Sequence, residues 1–217
     1  ACKSPFPATS SVGGAVVNGP LNQAFVFLDY DFDGVWDEAS EPSARTDASG
    51  KYTLVSTQFN YDLVAIADDQ TVDTSSGATF SGITLKAPSG AGVISPTSTL
   101  MKEGNLTATE VAAVLGLPDD VDPLSFNPFA DGVDAAKALE VAKVSKQITA
   151  ALSSFASAAE GAGAGADDAF KTALNSMVEV VKTKAAKAKD TNASAADKKI
   201  DFTKTDDLEL IKAKVAT

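Results

Sequence analysis

The feature that most constrains this chain is a change of period part-way along it. From Ala15 to Leu85 the apolar residues come in short runs rich in β-branched and aromatic side chains. Ala15–Val17, Ala24–Leu28, Tyr52–Val55, Leu63–Ala67 and Thr79–Leu85 are separated by Gly, Pro, Asn, Asp and Ser. Runs of that length and spacing are strands of a β-sandwich, with turns at Asn18-Gly19-Pro20 and Ala48-Ser49-Gly50. Val26 and Leu28 share one face of a strand and Phe25 and Phe27 the other. Both faces are apolar, which predicts a central strand buried on both sides.

After Asn105 the spacing becomes helical. Thr107 and Glu110 form a capping box in front of Ala108–Leu115, with Gly116 placed to end that helix. A longer helix is predicted from Asp131–Asp134, with Val141, Val144, Ile148, Leu152 and Phe155 on one stripe. Gly161–Gly165 breaks it. Asp167-Asp168 opens the next helix, where Phe170, Leu174, Met177, Val178 and Val181 line up, and a last one covers Asp206–Val215. Strands first and helices second is an α+β order. The expected arrangement is an N-terminal antiparallel β-sandwich over residues 11–100, with a helical region over residues 101–217 packed on or beside it. No stretch approaches the roughly 18 consecutive apolar residues of a membrane span. No charged and then apolar leader opens the sequence, so any signal peptide is expected to be gone already.

The net charge is −11. Residues 1–130 carry 5 basic and 16 acidic side chains, and residues 131–217 carry 13 of each, so the whole excess lies in the first part. Nucleic acid is disfavoured, because phosphate binding needs a basic face. Cations are favoured partners of clustered carboxylates. The chain has one cysteine and no histidine. One thiol makes no internal disulfide, and the usual zinc and copper donor sets are lacking, while oxygen-ligated metals stay open. Cys2 follows Ala1 in the way a bacterial lipoprotein cleavage site ends, which would lipidate it. Ala1, still in place, argues against processing.

The strongest local signal is Asp29-Tyr30-Asp31-Phe32-Asp33-Gly34-Val35-Trp36-Asp37-Glu38. Carboxylates at loop positions 1, 3, 5 and 9 with glycine at 6 have the spacing of an EF-hand-type calcium loop. Alternate residues of a tightly curled loop point inward, glycine permits the reversal, and the Val35 carbonyl adds a ligand. Position 12, normally Glu, is Ser40. Glu41 is one place later, where a bulge would deliver it, and Glu38 is the other choice. The expected ligands are Asp29, Asp31, Asp33, Val35, Asp37 and Glu41, and the expected ion is Ca²⁺. Asp119-Asp120-Val121-Asp122 comes after a helix end without a loop glycine and reads as a solvated connection. Asp68-Asp69 with Asp73 is open between the two readings.

The stretches Gly14–Pro20, Ala24–Asp29, Asp33-Gly34, Glu41-Pro42 and Thr46–Leu54 resemble modules of large bacterial surface adhesins. These are the collagen-adhesin B-type (Cna-B) and serine-aspartate-repeat B-type β-sandwiches. In that pattern a strand ends in Asp, a calcium loop comes next, and a Glu-Pro leads to Thr-Asp-x-x-Gly-x-Tyr. Val93–Leu100, Leu115–Pro118 and Phe126–Phe129 are similar to the segment C-terminal to the sandwich in such modules, so the likeness spans about residues 11–155. It implies extracellular or cell-surface display and calcium stiffening. It implies no defined binding partner, since fold alone does not give function; neighbouring surface domains or other copies, assembled into fibre or biofilm matrix, are the expected ones. A secreted carbohydrate- or peptide-binding module is the alternative, which would need Trp36 or Tyr30 as an open ring. Catalysis is not expected: no nucleophile motif or phosphate loop is present, and Gly161–Gly165 lacks the Lys-Ser/Thr of a P-loop.

Overall fold

The computed structural model describes residues 8–215, so Cys2 lies outside the described residues. Among the described residues ten strands precede six helices, and the fold is α+β. One main sheet has the order β10-β1-β5, from Val93–Ile94, Ser10–Val16 and Lys51–Ser56. The other has the order β4-β3-β6-β9, from Ser43–Arg45, Phe25–Asp29, Asp62–Ala67 and Ile83–Pro88. Pairing is antiparallel except between β1 and β10, which run parallel. A small third sheet joins β2 (Leu21–Asn22), β7 (Val72–Asp73) and β8 (Ala78–Thr79).

The two main sheets face each other. Val16, Leu54 and Ile94 from one meet Val26, Leu63 and Leu85 from the other in one buried cluster. Each fully buried aliphatic side chain of this kind contributes about 1.5–3 kcal/mol relative to exposure. β3 lies inside its sheet, as its two apolar faces predict: Val26 and Leu28 point into the sandwich, and Phe27 on the opposite face is equally buried.

The helical part forms a second cluster around Leu100, Val111, Ile148, Leu152, Met177 and Val181. α2 (Ala108–Leu115) begins at the predicted capping box, with Glu110 N–H bonded to Thr107 Oγ1 at 3.1 Å. α3 (Ala135–Gly161) starts after Asp134, which caps the Lys137 N–H at 2.9 Å. α4 (Ala166–Lys187) comes after the Gly-Ala link, and α5 (Ala195–Lys198) and α6 (Thr205–Val215) complete the chain. No helix among the described residues is long and apolar enough to cross a membrane.

The helix α1 (Pro96–Gly104) straddles the expected division at residue 100. Ser95 caps it, Pro96 stands in the first turn, and Ser98 returns the bond to the Ser95 N–H at 2.8 Å. Its hydroxyls also bind β9: Thr99 Oγ1 accepts from the Lys86 N–H at 2.9 Å and Ser98 Oγ donates to the Lys86 carbonyl at 2.7 Å. The helices therefore dock on the margin of the sandwich. Phe170 of α4 touches both apolar clusters.

Candidate metal centre

β3 ends at Asp29, and the chain leaves the sheet, curls through residues 30–42 and returns as β4. Asp29 is 1 % exposed. Its Oδ2 accepts the Gly34 N–H at 2.7 Å, which folds the loop back over its own start. Gly34 sits at φ +77°, the left-handed region that side chains resist, so the sixth loop position needs glycine for the reversal.

Glu41 closes the loop from its far end. Oε1 accepts the Tyr30 N–H and Oε2 the Asp37 N–H, both at 2.9 Å, and the residue is 5 % exposed. The extra residue before Glu41 is absorbed by a turn, in which the Ser40 and Glu41 N–H groups both reach the Asp37 carbonyl, at 3.2 and 2.9 Å. That bulge turns Glu41 inward and leaves Glu38 exposed.

The result is a group of three carboxylates, Asp29, Asp31 and Glu41, with one oxygen of each within 4.8 Å of the others. The other expected carboxylates are engaged elsewhere. Asp33 Oδ1 accepts the Val35 N–H at 2.7 Å. Asp37 accepts the Ser40 hydroxyl at 2.7 Å and the Ala39 N–H at 3.0 Å, and these bonds, the hydroxyl first, hold its carboxyl below the usual range. Neither belongs to the converging group. The Val35 carbonyl takes no hydrogen bond among the described residues.

The donor set fits a hard cation. Asp29 Oδ1 is buried and has no hydrogen-bond partner. None of the ion pairs among the described residues involves Asp29, Asp31 or Glu41. The nearby Lys86 and Lys102 are committed to Glu103 at 3.2 Å and Asp62 at 3.3 Å. Burying charge without a partner costs several kcal/mol per ion, and a divalent ion ligated by oxygen removes that cost. Asp62 stands opposite Asp29 in the sheet, and burial first, and then the Asp29 charge, push its carboxyl up against the pull of Lys102.

Trp36 and Tyr30, both half-buried, help to hold the loop. The Trp36 indole N–H donates to the Glu41 carbonyl at 3.1 Å, and its ring meets Phe25 edge-on at 4.9 Å. The Tyr30 hydroxyl lies 3.1 Å from Ser56 Oγ and accepts the Thr57 N–H at 3.2 Å. The sequence signal for these supports is weak, since an aromatic in a loop fits either role. In the other acidic segments, three acids work as caps or ion pairs. Asp120 pairs with Lys137, Asp122 caps Leu124 at 3.0 Å, and Asp68 pairs with Arg45 at 2.7 Å.

No protein-family model, curated protein or solved structure matches this chain.

Proposed function

We propose that this chain is an extracellular, calcium-stabilised structural and adhesive module of a bacterial surface protein. Its likeness to Cna-B and serine-aspartate-repeat B sandwiches belongs to the same proposal. The observation that carries the reading is the buried, unpartnered Asp29 Oδ1 beside the carboxylates of Asp31 and Glu41. Calcium there would draw together the end of β3, the loop, and the entry to β4, and so brace one end of the sandwich. The ion supplies rigidity, and no reaction is assigned to it. The absence of histidine from the sequence supports a scaffolding role over acid–base catalysis.

Calcium binding to the folded chain alone raises stability by about 2.7 kcal/mol when the ion stands at a hundred times its dissociation constant. For a domain of this size that is a rise of roughly 5–10 °C in the melting temperature. Thermal melts in calcium and in chelator measure it directly. Coincident curves at millimolar calcium would remove the reading.

A further inference from the structure

The margins of the two main sheets are closed by different devices, with one exception. β9 is covered by the α1 hydroxyls that bind Lys86. β10 is covered at the Leu124 carbonyl, which accepts the N–H groups of Gly92 at 2.8 Å and Val93 at 3.0 Å. β4 is only three residues long, comes directly after Pro42, and carries the Arg45–Asp68 ion pair. Short, charged or covered margins are how sheets avoid pairing with other chains.

β5 is the exception. The Val16 N–H bonds the Gly50 carbonyl at 2.8 Å, and the register continues from Ala15 opposite Lys51 to Ser10 opposite Ser56. Alternation along an antiparallel ladder then gives the backbone groups of Tyr52, Leu54 and Ser56 to β1 and turns those of Lys51, Thr53 and Val55 outward. Lys51 confirms the parity: its N–H goes to Asp47 Oδ1 and its carbonyl takes the Asp47 N–H, both at 2.9 Å. At the other end Thr57 is held by the Tyr30 hydroxyl. Between these two stops the N–H and carbonyl of Thr53 and of Val55 have no hydrogen-bond partner among the described residues. Both side chains are exposed, Val55 by 57 %.

We propose that this window is a self-pairing edge, at which a second copy of the chain adds its own β5 antiparallel about a two-fold axis through Leu54. In that register Thr53 pairs with the partner's Val55 and Val55 with the partner's Thr53. Each pair exchanges both of its backbone bonds, so every open group of the window is used. Lys51 comes opposite the partner's Thr57, so no like charges meet, and the β-branched pair of Thr53 with the partner's Val55 is a favourable cross-strand match. The window of a second copy ends at the same stops, Lys51 and Thr57, so the two edges match in length. Contact over so few residues is weak in solution. It gains strength by avidity where many copies stand on one surface, and in that respect the inference rests on the surface display proposed above.

Sedimentation velocity from roughly 10 μM to 1 mM tests the pairing, in calcium and in chelator. Wild type is expected to show a monomer–dimer equilibrium. Thr53→Pro removes an outward N–H without touching the ladder to β1, and Val55→Glu adds a carboxylate on each side of the axis. Each is expected to weaken the dimer about tenfold or more. Should Thr53→Pro fail to fold, Val55→Glu at an exposed position still gives the answer. A monomer at every concentration, or a dimer indifferent to both changes, overturns the proposal. A dimer that persists in chelator, in a protein whose melting ignores calcium, upholds the edge and removes only the metal reading.

Discussion

Asp29 and Asp73 are buried almost equally, at 1 % and 4 % exposure, and the fold treats them in opposite ways. Asp73 is saturated by the protein. Its Oδ2 accepts Asn18 Nδ2 at 3.3 Å and the Gly19 N–H at 3.0 Å, and its Oδ1 accepts the Ser75 N–H at 2.9 Å and the Ser75 hydroxyl at 2.6 Å. A Cβ on Gly19 would fall 2.1 Å from Asp73 Oδ1, so glycine is needed there for the close approach. Asp29 receives one N–H, keeps one oxygen without a partner, and has two further carboxylates beside it. A buried acid whose donors all come from the chain is a structural joint. A buried acid short of donors and crowded by others is where the calcium proposed above would sit.

The largest expected effect belongs to the saturated site. Asp73→Ala leaves the donors of Asn18, Gly19 and Ser75 unsatisfied and should cost about 3 kcal/mol, equally with and without calcium, in urea unfolding. A loss that depends on calcium would erase the contrast between the two aspartates. Next in size is Asp29→Asn, which should abolish the calcium-dependent stabilisation, a loss of about 2.7 kcal/mol at a hundredfold excess over the dissociation constant. In chelator the same change should stabilise, because it relieves the crowding with Asp31 and Glu41. Calorimetric melts of the pair of proteins in both buffers read both signs.

The two sites should also part in acid. Burial works against the Asp73 charge, but the bonds from Ser75, Gly19 and Asn18 outweigh it and hold the carboxyl below its ordinary value. A depressed folded value gives stability that is fully present above the unfolded value of about 3.9 and is lost as pH falls through the folded one. The penalty of Asp73→Asn measured by urea unfolding should therefore shrink below about pH 4. A penalty that stays constant from neutral pH into that range would show that the charge is not what the donors recognise. Smaller still is Thr149→Val. Thr149 Oγ1 donates to Asn18 Oδ1 at 3.1 Å and so links the Asp73 joint to α3. Its loss should cost about 1 kcal/mol, with the calcium response unchanged.

Much of this was readable in the residues. Thr107 with Glu110, Asp134, and the Gly-Ala link each mark a helix end by chemistry that acts locally, and the structure places ends there. Ser95-Pro96 with Ser98 is the same kind of signal, and α1 starts from it, but its neighbours read as the tail of a sandwich. The strands of two or three residues, such as β2, β7 and β10, are too short to show a period. At the loop, the Asp29 and Gly34 spacing was legible because glycine and the first acid act on adjacent backbone. The bulge that brings Glu41 inward was legible too, while the turning away of Asp33 and Asp37 was not, since Asp33 meets the Val35 N–H and Asp37 meets Ser40, each within its own turn.

Glu41 grips one amide at the start of the loop and one near its finish. The chain entropy of closing that circuit is therefore spent when the protein folds, before any ion arrives. Calcium would enter a ready-made cradle, its capture paced by the shedding of its own water, and differences between variants would show in how long the ion stays.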